Sequence, residues 1–142
     1  MTPKPLNEIE EFCLQLFDLI GANHNVARAC VNSVMHGTRF GVDSHGVRLV
    51  PHYIKVLETG RLNKNPSIQF KSPKPSSGLL DGDHSQGALP TYTAMDYAIE
   101  MAKKNRYCCS RCYKFISFWP SRRLYLIRCK KKYDCVRVLQ FR

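Results

Sequence analysis

Ten residues, Arg39-Phe40-Gly41-Val42-Asp43-Ser44-His45-Gly46-Val47-Arg48, hold the most concentrated chemistry in the chain. A histidine between a serine and a glycine at the start of a helix meets backbone N–H groups and the positive end of the helix dipole, a setting that favours anions. A 2-oxo or 2-hydroxy carboxylate suits that setting. There His45, with Ser44 beside it, can exchange the hydroxyl proton while hydride moves to or from a nicotinamide. The planar fork of Arg48 can clamp the carboxylate. Standing alone, Ser-His-Gly before a helix is more often a cap with a solvated histidine, so the motif needs context.

Other reactive residue types make weaker patterns. Cys109-Ser110-Arg111-Cys112 with Cys129 and Cys135 completes no familiar tetrahedral zinc spacing, so no metal site is expected. The basic run Arg128 to Lys132 has aromatics nearby, the footprint of a nucleic-acid binder, but that reading ranks last. His24, His36 and His52 fit helix ends or surface positions, and His84, in an Asp-rich turn, is the likeliest exception.

The elements that must position these groups occupy only part of the chain. The 142 residues suffice for one modest domain with a single core. No stretch reaches the roughly 18 apolar residues of a membrane span, and Met1 to Glu11 has no basic region followed by an apolar run. A cytoplasmic setting is the expectation. The net charge of +11 is uneven: residues 1–106 hold 12 Lys/Arg and 10 Asp/Glu, whereas residues 107–142 hold 10 Lys/Arg and one acid, Asp134. Five of the seven cysteines also fall in the second segment. The text divides near residue 106, into 1–106 and a basic, Cys-rich 107–142.

Three helices are expected first. Leu6 to Ala22, capped by Asn7, carries Ile9, Phe12, Cys13, Leu16, Phe17 and Ile20 on one stripe and stops at Gly21. Asn25 to Arg39 presents Val26, Cys30, Val31, Val34 and Met35, with Gly37 and Gly41 loosening its end. Val47 to Thr59, capped by Asp43 or Ser44, presents Val50, Ile54 and Leu57 and stops at Gly60. Pro51 is tolerable there only within the first turn. From Asn63 the pattern changes. Ser67–Lys71 and Gly78–Asp81 read as a hairpin or two edge strands, with a turn at Asp81-Gly82-Asp83. A fourth helix, Leu89 to Lys104, buries Ala94, Met95, Ala98, Ile99 and Ala102. The class is α/β (α+β): three helices, short strands, then a helix. After Asn105 neither a period of two nor of 3.6 survives, and an irregular tail is expected.

Gly41-Val42-Asp43-Ser44-His45-Gly46, followed by Pro51-His52-Tyr53 and Gly60, resembles the signature of the malate/L-lactate dehydrogenase family, which is distinct from the Rossmann-fold lactate and malate dehydrogenases. The resemblance continues through Leu80-Asp81-Gly82, Gly87 and the helix Ala94 to Glu100, and covers roughly residues 5 to 105. It implies a homodimeric enzyme that uses NAD or NADP on a small 2-oxo or 2-hydroxy acid, of malate or L-lactate type. It also implies an active-site His at His45 with Ser44 as its neighbour. The family often has an Arg four residues after that His. Here Leu49 stands in that place and Arg48 one earlier. Many relatives carry Gln after the glycine matching Gly87; here Gln86 precedes it and Ala88 follows.

The resemblance further implies a buried Gly/Ile/Ala/Val strand after the fourth helix, then an Asn-Ser-x-His-Phe-Gly motif. Neither appears. A coding frame shifted near Asn105 accounts for this. Read from the second base of each present codon, Cys108, Cys109 and Cys112 yield only Ala or Val, and Trp119-Pro120 forces Gly. Lys114 to Phe118 can then give Asn-Ser-Ser-His-Phe. The chain is therefore expected to be a fragment with no turnover by itself, against the alternative of a non-catalytic binder at a dimer surface.

Overall fold

Leu6–Leu19 form helix α1, His24–Arg39 helix α2 and Val50–Glu58 helix α3. The computed structural model describes residues 4–105, 107–116, 125–127 and 135–140, with side chains described through residue 104. Two compact units emerge, Met1–Asn65 and Pro66–Arg142. Their boundary falls where the sequence pattern changes, at Asn63 to Pro66.

In the first unit each helix ends on a glycine in the left-handed region, where a side chain would be strained. Gly21 has φ +71°, Gly41 +68° and Gly60 +71°. At the end of α2, Gly41 N–H donates to the Thr38 carbonyl (3.1 Å) and Val42 N–H to the Gly37 carbonyl (2.9 Å). This pair of bonds is the Schellman pattern, and it turns the chain sharply back along α2. The start of α2 is closed by Asn23, whose Oδ1 accepts from Asn25 N–H at 2.8 Å. The start of α1 differs from expectation. Pro5 holds the capping position and no side chain bonds there, so Asn7 lies inside the first turn. The fixed φ of proline already suits a helix entry one step earlier.

The expected face of α2 is the core: Val26, Cys30, Val31, Val34 and Met35 are all buried, with Cys13 and Phe17 of α1. Of the rest of the α1 stripe, Ile9, Leu16 and Ile20 are half-buried and Phe12 is 59% exposed. Helix α3 buries Val50, Tyr53, Val56 and Leu57. Pro51 sits in its first turn, where the missing N–H has no intrahelical partner to lose.

In the second unit, β1 (Gln69–Lys74) and β2 (Ser77–Gln86) form an antiparallel hairpin with Phe70 opposite Leu80. Helix α4 (Ala88–Asn105) then leads to β3 (Tyr107–Ile116), which runs parallel to β2. With β4 (Tyr125–Ile127) and β5 (Cys135–Gln140) the sheet order is β1-β2-β3-β5-β4. Three findings depart from the sequence reading. First, β2 is an interior strand, while β1 with its Pro73 keeps the edge. Second, Asp81-Gly82-Asp83 does not end the strand. The register shifts between Asp81 and Ser85, with Asp83 and His84 at positive φ. The aspartates still supply turn chemistry, because Asp83 N–H donates to Asp81 Oδ1 and Ser67 N–H to Asp83 Oδ2. Third, the segment after residue 106 contributes strands, and β3 lies where the family resemblance implies one. Its Tyr107, Tyr113, Phe115 and Ile116 are residue types that favour extended backbone even without alternation. Residue 106, where composition shifts, lies inside this unit. The buried face of α4 is as expected: Ala94, Met95, Ala98 and Ala102 pack on Leu80, with Ile99 partly buried.

Candidate active site

The Schellman turn that ends α2 delivers the chain into two 3-10 turns, Asp43–His45 and Val47–Leu49, before α3 begins. Ser44 and His45 lie in the first turn and Arg48 in the second. Ser44 is exposed, His45 half-buried and Arg48 exposed. The structure brings Ser44 and His45 together: Ser44 Oγ lies 2.9 Å from His45 Nδ1. This contact engages one ring nitrogen and directs the opposite one, Nε2, away from Ser44. Arg48 has no hydrogen bond or ion pair among the described residues, whereas Arg39 is engaged by Glu10 at 2.8 Å. Of the two guanidinium groups flanking the motif, that of Arg39 is committed to a carboxylate and that of Arg48 is exposed.

The expectation of a helix N-terminus at His45 fails. Helix α3 starts at Val50, and neither Asp43 nor Ser44 caps it. The backbone N–H groups around the histidine are already engaged. His45 N–H donates to the Val42 carbonyl (2.9 Å), Gly46 N–H to Asp43 (3.3 Å) and Leu49 N–H to Gly46 (3.0 Å). Val47 N–H donates to Thr38 Oγ1 at 2.9 Å. These four N–H groups are thus committed within the protein and are not available to an anion. The side chains of Ser44, His45 and Arg48 are the polar groups that this turn presents beside its backbone. No described residue is assigned to a nicotinamide coenzyme.

Two glycines hold the histidine, and the sequence reading of the first was wrong. Gly37 does not loosen α2. It is buried inside the helix, and a Cβ there would stand 2.4 Å from the His45 carbonyl oxygen and 2.8 Å from its carbonyl carbon. Gly46 is constrained less tightly, since a Cβ would lie 2.8 Å from the side-chain Oγ1 of Thr38. Thr38 also donates from Oγ1 to the Val34 carbonyl at 3.0 Å. The one available signal was a glycine within an otherwise helical pattern, which costs about 1 kcal/mol against Ala and needs a packing reason.

The other candidates fall elsewhere. His24, His36, His52 and His84 are exposed, and no His/Cys/Asp/Glu cluster fit for a metal occurs among the described residues. Cys109, Cys112, Cys129 and Cys135, together with Arg128 to Lys132, lie outside the described side chains. Cys13 and Cys30 are free and buried. Burial, then the neighbouring Cys13, pushes the Cys30 thiol well above its ordinary range, which makes it a poor nucleophile. No helix among the described residues is long and apolar enough to cross a membrane.

Comparison with known proteins places this arrangement in context. Residues 5–115 match the family model described as malate/L-lactate dehydrogenase. A malate dehydrogenase of Pyrococcus abyssi is 31% identical over 100 residues, which are 70% of this chain and 28% of that protein. An L-sulfolactate dehydrogenase of Methanocaldococcus jannaschii is 29% identical over 103 residues, 72% of this chain and 30% of that one. The solved malate dehydrogenase of Pyrococcus horikoshii OT3 superposes with a TM-score of 0.68 at 27% identity, over 72% of this chain and 30% of its own. The chain thus spans less than a third of the length of each of these three relatives.

Proposed function

Because the chain belongs to the malate/L-lactate dehydrogenase family, we propose that it carries the proton-transfer and carboxylate-binding side chains of an NAD- or NADP-dependent oxidoreductase acting on a small 2-oxo or 2-hydroxy acid. The observation that carries this reading is the pairing of Ser44 Oγ with His45 Nδ1 at 2.9 Å, beside the uncommitted guanidinium of Arg48. In the reductive direction Nε2 of His45 gives a proton to the 2-oxo oxygen as the carbonyl carbon takes up hydride. In the oxidative direction the same nitrogen receives the hydroxyl proton. Arg48 holds the carboxylate and so fixes which carbonyl faces the histidine. The hydride comes from the nicotinamide coenzyme when it is bound.

Malate or L-lactate is the preferred substrate class. A homodimer in the cytoplasm is the expected assembly and setting, and nucleic acid is not an expected partner. The 142-residue chain alone is read as inactive, because it covers 28% of the Pyrococcus abyssi malate dehydrogenase compared above. Purified chain is therefore expected not to oxidise NADH with pyruvate or oxaloacetate, and a clear His45-dependent rate refutes that part. For the site itself, titration with L-malate or L-lactate should move the NMR signals of His45 and Arg48. The same titration of a His45→Ala, Arg48→Ala variant should leave the turn unmoved. Identical shifts in both proteins would sink the assignment.

A further inference from the structure

We propose that Thr38 is a positioning residue for His45, acting through the backbone on either side of the histidine. The inference rests on the proton-transfer role assigned to His45 above.

The geometry is a two-point clamp. On the N-terminal side, Val42 N–H is bonded to the carbonyl of Gly37 at 2.9 Å. On the C-terminal side, Val47 N–H is bonded to Thr38 Oγ1 at 2.9 Å. Consecutive residues of the last turn of α2 thus hold both ends of the segment that contains Ser44 and His45. Between the two points the His45–Gly46 peptide lies flat on α2, close enough that neither Gly37 nor Gly46 has room for a Cβ. Thr38 is itself oriented, because its hydroxyl proton is directed to the Val34 carbonyl at 3.0 Å, which leaves a lone pair of Oγ1 for Val47. A hydroxyl that donates within its own helix and accepts from the next segment cannot be replaced by a methyl group without leaving the Val47 N–H unbonded.

The helix terminus therefore serves two ends. It stops α2, and it sets the backbone angles that bring Ser44 Oγ to His45 Nδ1. Without the Thr38 bond the second half of the clamp opens, and the Ser44–His45 contact is left to two adjacent side chains on a free turn.

The test compares the wild-type chain with Thr38→Val and Thr38→Ser, without substrate. Three readouts are taken: far-UV circular dichroism, hydrogen exchange of the Val47 amide, and the ¹⁵N signals of the His45 ring. Thr38→Val should keep its helical signal, lose about tenfold or more of the Val47 protection, and move the His45 Nδ1 signal toward that of a solvated imidazole. Thr38→Ser keeps the hydroxyl and should restore both values. A Thr38→Val protein with unchanged His45 signals overturns the proposal, and so does a Thr38→Ser protein that shifts as far as Thr38→Val. Should Thr38→Val fail to fold, the wild type and Thr38→Ser decide: a Val47 amide that exchanges without protection in the wild type refutes the clamp. Because no substrate is present, a failure of 2-hydroxy acids to bind leaves these results untouched and counts against the proposed function alone.

Discussion

Replacing Gly37 by alanine sets two effects of known size against each other. Helix propensity alone predicts that Gly→Ala inside α2 stabilises the protein by about 1 kcal/mol. Packing predicts the opposite. The new Cβ would stand 2.4 Å from the His45 carbonyl oxygen, 2.8 Å from its carbon and 3.2 Å from the Gly46 nitrogen. All three are backbone atoms, tied down by the bonds of Val42 to Gly37 and Val47 to Thr38, so no side chain can swing aside to relieve the contact. Overpacking of this kind costs about 1–3 kcal/mol, and an immobile neighbour places it toward the upper end. The net expectation is a loss of roughly 1–2 kcal/mol. For a unit of this size that lowers the melting temperature by roughly 4–16 °C. The assay is thermal unfolding by far-UV circular dichroism, with Asn32→Ala as the control at an exposed position on the same helix. Asn32→Ala should melt at or slightly above the wild type. If Gly37→Ala follows it upward, the close seating of the His45 carbonyl on α2 is wrong, and so is the account of how the histidine is positioned.

Two further outcomes are expected. The Cys30 thiol, raised by burial, stays protonated in the native chain while an unfolded chain ionises above roughly pH 8.5. The unfolded state then binds fewer protons, so stability is unaffected below that pH and falls above it by up to about 1.4 kcal/mol per pH unit. Urea midpoints taken at pH 8 and pH 10 should diverge more in the wild type than in Cys30→Val, and equal divergence would exclude Cys30 as the cause. At the level of the message, sequencing the transcript around codon 105 should find the Gly/Ile/Ala/Val strand and the Asn-Ser-x-His-Phe-Gly motif in a shifted frame; their absence from every frame ends that account of the tail.

The sequence by itself carried the helices and singled out the candidate reactive groups, because both readings depend on local rules. Periodicity located the buried face of α2 and of α4, and glycines at Gly21, Gly41 and Gly60 marked helix ends since only they tolerate the left-handed turn. Ser44, His45 and Arg48 were likewise legible as a cluster of types suited to one chemistry, and the order of motifs across about a hundred residues pointed to the family. Local rules misplaced what depends on distant partners. Asn7 lost the helix cap to Pro5, and the Asp81–Asp83 turn was absorbed into β2 once that strand gained a partner on each side. The start of α3 moved from Val47 to Val50 because Val47–Leu49 is wound as a 3-10 turn, with Leu49 N–H on the Gly46 carbonyl and Val50 N–H on the Val47 carbonyl.

Tertiary structure alone decided how the histidine is held. A glycine within a helix reads as a weakness when only propensity is counted, and as a necessity once the His45 carbonyl is found against it. Thr38 reads as an ordinary helix-end residue until its hydroxyl is seen bonded on both sides. Both judgements turn on contacts between residues eight or nine apart along a chain that reverses direction at Gly41, and no periodic pattern encodes such a contact.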